Sequence, residues 1–197
     1  MYIIERAEEK HLDQIVEIFF NELNISPISS LGKNFIKDMF FLSLKNEYGF
    51  VCLSKNKFKV IGFIFITKKN LHLFRCISLR SIFLFIRVTL TNYAILKAFL
   101  ISFFRLFLLR DNLKNNDISA IELSHFAVMK DYKGKGIGNE LIKAIEKHAK
   151  INEYSKIFTS THNLRLAEFY KKSRNAKILY TIDIGIYKSY NIVWNIK

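Results

Sequence analysis

The stretch that most restricts this chain is Tyr132-Lys133-Gly134-Lys135-Gly136-Ile137-Gly138-Asn139-Glu140-Leu141. It holds three of only seven glycines in 197 residues, at every second position. A strand-like run, 118–129, precedes it, and a helix-forming run, 137–150, follows. Glycine loses more conformational freedom on folding than any other residue, so this cluster predicts a backbone that something approaches closely. Strand, glycine loop and helix in that order build an anion site. The N–H groups of the loop and of the first helical turn point outward, and the helix dipole adds positive potential. Gly134, Gly136 and Gly138 remove Cβ atoms from that surface, while Lys133 and Lys135 add charge. Two other phosphate loops are excluded by spacing. A P-loop requires Gly-Lys-Ser/Thr at its end, and a dinucleotide fingerprint requires GxGxxG, whereas here the spacing is GxGxG.

An anionic ligand agrees with the charge of the chain, +14 with a pI of about 9.7. Excess charge of this sign favours nucleic acid, a phosphorylated small molecule or an acidic membrane without choosing among them. Nucleic acid has no support beyond charge, since no helix-turn-helix, zinc or aromatic-basic sheet motif is present. Cys52 and Cys76 offer neither a disulfide framework nor metal-ligand spacing, and read as buried apolar residues of a reducing compartment. Acidic residues come before any apolar run at the N-terminus, which argues against a secretory signal and for a cytoplasmic protein.

Around the loop the chain alternates. A short strand, Tyr2 to Glu5, precedes an amphipathic helix with Leu12, Ile15, Val16, Phe19 and Phe20 on one face. Helical spacing returns at 33–45, and strands at 49–53 and 58–67 flank a turn at 55–57. After the loop come a helix at 137–150, a strand at 156–161, a helix at 163–173, and strands at 176–184 and 186–196. The order β-α-α-β-β-(insertion)-β-α-β-α-β-β predicts a mixed α/β domain, 1–197, around a central sheet.

The insertion, 70–115, is apolar and basic, and no Asp or Glu occurs between Glu47 and Asp111. Its longest uncharged run, Val88 to Leu96, is far short of the roughly 20 apolar residues that a membrane span needs. Two helices broken near Thr91 and Asn92 are expected. Their apolar faces have three destinations: the domain itself, a second copy of the chain, or an anionic membrane surface. Arg80 and Arg87, one heptad apart, are expected to face an anionic acceptor or surface.

At the glycine loop the chain resembles the GCN5-related N-acetyltransferase (GNAT) superfamily. The family's [Q/R]-x-x-G-x-[G/A] motif, placed between a strand and a helix, stands here as Lys133 to Gly138, with Lys at the first position. "THNLRLAEFYKKSR", 161–174, resembles the family's downstream N-x-x-x-A-x-x-F-Y helix through Asn163, Ala167, Phe169 and Tyr170. The Gly-Phe pair that usually follows is replaced by "SRNAKI". The first strand and helix are similar as well, so the likeness spans most of the chain outside 70–115.

The resemblance implies a GNAT-like mixed sheet with a helical insertion between the third and fourth strands. It also implies direct transfer of an acetyl group from acetyl-CoA to an amine, in a ternary complex. Lys133, Gly134, Lys135, Gly136, Ile137, Gly138 and Asn139 would hold the pyrophosphate. Main-chain N–H groups near Phe126, Ala127 and Val128 would polarise the thioester carbonyl. Asn163 would bond the pantetheine amides. Glu122 matches the position of a glutamate that serves several members as general base. Alternation places Glu122, Ser124 and Phe126 on one face of the strand, with Leu123 and His125 on the other. Against a catalytic Glu122 stand a carboxylate merely paired with a cation, and His125 or His162 as the base. Tyr170 matches the tyrosine that protonates the leaving thiolate; the opposing reading is a core tyrosine. The acceptor expected is a small-molecule amine such as an amino sugar or its nucleotide-linked form. The alternative is a non-catalytic module of the same fold that uses its basic insert on a membrane or nucleic acid.

Overall fold

The computed structural model describes residues 2–23, 29, 32–46, 48–56, 58–68, 119–183 and 188–196. The expected helical insertion, with Arg80, Arg87 and Cys76, lies outside the described residues. Strand β1 (Tyr2–Arg6) leads into helices α1 (Leu12–Glu22) and α2 (Lys33–Asn46). Strands β2 (Tyr48–Ser54), β3 (Lys59–Lys68) and β4 (Ala120–Val128) follow. Then come α3 (Ile137–Ile151), β5 (Lys156–Thr161), α4 (Leu164–Arg174), β6 (Lys177–Asp183) and β7 (Lys188–Asn195). This is the expected element order. The seven strands form one sheet, ordered β1-β2-β3-β4-β5-β7-β6, in which β4–β5 is the parallel neighbour pair and the other pairs are antiparallel.

Helical periodicity decides which side chains reach the sheet. In α3, Ile137, Leu141, Ile145 and Ala149 are buried at four-residue spacing, the signature of one helix face against a core. They join Ile64, Ile121, Leu123, Ile157, Ile192 and Trp194 on one side of the sheet. The α1 and α2 helices contribute Ile15, Val16, Phe19, Ile36 and Phe40, which meet Val51, Phe63, Phe65 and Ala127 on the other side. Burying an aliphatic or aromatic side chain of this size contributes about 1.5–3 kcal/mol, so both faces are held firmly around β3 and β4. Cys52 is fully buried, and burial pushes its thiol up to about 11; it is the inert apolar residue expected.

The expected alternation along β4 breaks at one residue. Phe65 pairs with His125, but its neighbour Ile66 pairs with Leu123, leaving Ser124 as an extra residue in β4. Its hydroxyl turns back to donate to the Phe65 carbonyl at 3.2 Å. A bulge of this kind inverts the side-chain phase of everything beyond it. Leu123 therefore shares the α3/α4 side with Phe126 and Val128, while Ala127 packs on the α1/α2 side. This corrects the expected faces. Glu122 and Phe126 lie on opposite sides of the sheet, and His125 lies on the same side as Glu122, its ring 5.3 Å from Phe40 and 6.1 Å from Phe19.

Candidate active site

β4 and β5 part company midway. They pair from Ala120–Lys156 to Leu123–Thr159, and the Thr159 hydroxyl donates to the Leu123 carbonyl at 3.2 Å. Beyond that point β5 continues against β7, while β4 continues against β3 alone. The main chain of β4 is thus exposed to the gap along one edge. Met129 N–H donates to the Ile61 carbonyl at 2.9 Å, so Met129 faces β3. Because strand residues point their main-chain groups to alternate edges, Ala127 N–H also faces β3, whereas Phe126 and Val128 present theirs to the gap. Of the three residues expected to polarise a carbonyl, Phe126 and Val128 are placed for it and Ala127 is not.

The glycine loop closes the end of this gap. A single 3₁₀ turn, Lys130–Tyr132, leads into it. Gly134 and Gly136 have φ of +79° and +81°, and a Cβ at either position would meet nothing within 4 Å. Backbone conformation therefore requires glycine there, and the space outside is open. Gly138 has a different reason: a Cβ would stand 3.0 Å from the Phe126 ring. This glycine lets α3 pack closely on the strand that exposes its N–H groups to the gap. Among the described residues, the N–H groups from Gly134 to Asn139 have no acceptor, and the first helix bond after them is Glu140 N–H to the Gly136 carbonyl at 3.2 Å. Free donors, an open surface and a helix N-terminus suit a pyrophosphate.

Lys133 does not belong with these donors. Its N–H donates to the Lys130 carbonyl at 3.2 Å, and its ammonium pairs with Glu22 at 2.5 Å. Glu22 also accepts from Lys130 N–H at 2.7 Å, so the carboxylate fastens the end of α1 to the start of the loop. Lys135 instead lies over the Tyr132 ring, 5.0 Å from its centroid. It lines a cavity of about 270 Å³ together with Tyr2, Ser54, Asn56, Ile61, Tyr132 and Ile137.

Asn163 caps α4, its side-chain oxygen accepting from Arg165 N–H at 2.9 Å and Leu166 N–H at 3.3 Å. That structural duty narrows its expected role, because only the amide NH₂ is left to meet a pantetheine. Tyr170, on α4, is 1% exposed and stacks on Trp194 at 5.2 Å and 16°. Burial pushes its phenol well above the usual tyrosine range, against a smaller opposing effect of the Arg174 cation. The phenol therefore keeps its proton at neutral pH, and the same burial makes it a weaker acid than an exposed tyrosine. Three residues that sequence reasoning missed hold this ring. Glu146 accepts from Arg174 Nε at 2.6 Å and from the Trp194 indole at 3.0 Å, and Arg174 Nη2 reaches the Asn139 carbonyl at 3.4 Å. These partners are 28 to 48 residues apart, and no local pattern announces them.

The histidines divide. His125 is half-buried, its Nδ1 buried and without a partner among the described residues, and desolvation brings its pKa down to about 4. His162 is exposed, its Nδ1 3.1 Å from the Lys188 carbonyl. Glu122 is half-buried at the vertex where β4 and β5 separate, paired in register with Phe158 and Thr67. Glu122 thus lies on the α1/α2 side of the sheet and Tyr170 on the α3/α4 side, with the gap between them.

The Acetyltransferase (GNAT) family model matches residues 12–175, and the chain belongs to this family. It is an N-acetyltransferase, and acetyl-CoA is its acyl donor. The fold is similar to arylalkylamine N-acetyltransferase 2 from Aedes aegypti, with a TM-score of 0.67 and 14% identity over 100% of this chain and 99% of that one. The ribosomal-protein-S18-alanine N-acetyltransferase from Escherichia coli superposes with a TM-score of 0.61 and 10% identity over 100% and 95%. The PaiA N-acetyltransferase from Thermoplasma acidophilum, solved with coenzyme A, gives 0.61 and 13% over 99% of each chain. No curated protein matches the chain. Among the described residues, no helix is long and apolar enough to cross a membrane.

Proposed function

We propose that the protein transfers the acetyl group directly to a primary amine of a small molecule, an amino sugar or its nucleotide-linked form, in the cytoplasm. The observation that carries direct transfer is the position of Glu122 and Tyr170 on opposite sides of one gap in the sheet. An amine entering from the α1/α2 side would lose its proton toward Glu122. A thiol leaving on the α3/α4 side would take one from Tyr170, and neither group would cross the other's path. The free N–H groups from Gly134 to Asn139 would hold the pyrophosphate, and those of Phe126 and Val128 would stabilise the carbonyl oxygen as it gains charge. Acetyl-CoA supplies the activated thioester; the chain's own residues supply binding, orientation and proton transfer.

The similar structures differ among themselves in acceptor, one being an arylalkylamine N-acetyltransferase and another a ribosomal-protein-S18-alanine N-acetyltransferase. The excess of positive charge supports an acceptor carrying phosphate and disfavours polyamines. The purified chain, given acetyl-CoA, should release free thiol with glucosamine or a nucleotide-linked amino sugar. Release only with a peptide bearing a free N-terminus would move the acceptor to proteins.

A further inference from the structure

Glu22 is the last residue of α1, and a carboxylate is out of place there. The free carbonyls at a helix C-terminus carry negative potential, which favours a cation and opposes an anion. No basic residue stands in the last turn of α1 to offset it. The Glu22 side chain is nevertheless largely withdrawn from water, at 11% exposed. Its compensation comes from far along the chain. One carboxylate oxygen accepts from Lys130 N–H at 2.7 Å and the other pairs with the Lys133 ammonium at 2.5 Å, across 108 and 111 residues.

Both contacts fall on the short stretch between the sheet and the glycine loop. Met129 N–H makes the last bond to β3, at the Ile61 carbonyl. Beyond it, Tyr132 N–H and Lys133 N–H bond back to the Met129 and Lys130 carbonyls within the same turn. Such local bonds close a turn without aiming it. Two attachments aim it. The Tyr132 ring packs against the core on the α3/α4 side. From α1, Glu22 makes the hydrogen bonds that, among the described residues, tie 130–133 to another helix or strand. The free donors from Gly134 to Asn139 follow directly, so their direction is set by this turn.

We propose that Glu22 is a positioning residue for acetyl-CoA: by gripping Lys130 N–H it fixes the turn from which the pyrophosphate donors emerge. This rests on the reading above that the glycine loop holds the pyrophosphate. A loop ordered in advance spares the ligand the entropy of ordering it. The same pairing withdraws the Lys133 ammonium from the ligand. The Lys133 side chain is 57% exposed, however, and water and salt weaken the pull of such a charge on a phosphate. Order therefore outweighs charge at this position.

Two conservative variants separate reach from charge. Glu22→Asp keeps the charge and shortens the side chain by one methylene. Glu22→Gln keeps the reach and an oxygen for Lys130 N–H, but loses the charge. Acetyl-CoA binding is read by calorimetry. Glu22→Ala and Glu22→Asp should each raise the Kd by about 10-fold, the scale of one lost hydrogen bond, while Glu22→Gln should stay within about 3-fold of wild type. If Glu22→Ala does not fold, Glu22→Asp gives the answer. Wild-type affinity in Glu22→Asp, or a loss in Glu22→Gln as large as in Glu22→Asp, would overturn the proposal. The wild-type amides of Gly134 to Asn139 provide the control, since they should shift when acetyl-CoA is added. If they do not, the pyrophosphate reading itself fails, and the role of Glu22 with it.

Discussion

Up to Leu123, β4 is bonded on both edges, to β3 and to β5; from Ser124 onward only β3 remains a strand partner. The two halves belong to one strand and differ in what their main chain is left to do. In the first half the main chain is paired with a strand on each edge. In the second, the N–H groups of Phe126 and Val128 face a gap whose far end is closed by the glycine loop. The bulge at Ser124 joins the halves and turns the side chains over between them. The gap thus arises from the parting of two strands, with the N–H groups of Phe126 and Val128 on a sheet strand and those from Gly134 to Asn139 on the loop beside it.

Tyr170→Phe leaves both halves of β4 untouched and isolates the chemistry that the gap serves. The ring still stacks on Trp194, so only the proton donor is removed. Turnover should fall by about 10²–10⁴-fold, with acetyl-CoA affinity nearly intact. Wild-type turnover would return Tyr170 to the role of a core residue.

His125, the first residue past the bulge, reports on the inverted phase through pH. Its folded pKa lies near 4, below the unfolded value of 6.5, because burial disfavours the charged ring. The unfolded chain therefore binds the extra proton first. The stability contribution is complete above pH 6.5 and is lost as the pH falls from there toward 4, by at most about 3 kcal/mol. His11 and His148 are shifted in the same direction by burial, so the informative measurement is the difference between wild type and His125→Phe. Unfolding midpoints that fall equally steeply in both proteins over this window would show that the His125 ring is not desolvated in the fold.

Much of this was legible in the sequence because it is local. The glycine loop, the apolar stripe of α3 and the order of the elements each depend on residues within a few turns of one another. The Asn163 cap is local too, but its oxygen serves α4 before any ligand. What escaped depends on distant contacts. Ser124 looks like an ordinary polar residue in an alternating strand, and only its pairing with β3 reveals it as an insertion. Lys133 reads as a phosphate ligand until Glu22, 111 residues away, takes its charge. Glu146, Arg174 and Trp194 converge on Tyr170 from α3, α4 and β7. The sequence offers both the carboxylate and the phenol as candidates, but their placement on opposite sides of the gap depends on the sheet.

The amide spectrum of the ¹⁵N-labelled protein, recorded as acetyl-CoA is added, tests the division of β4 most directly. The largest shifts should fall on Gly134 to Asn139 and on Phe126 and Val128, while Ala120 to Leu123, locked on both edges, should move little. Shifts of equal size in both halves of β4, or none in the loop, would contradict it.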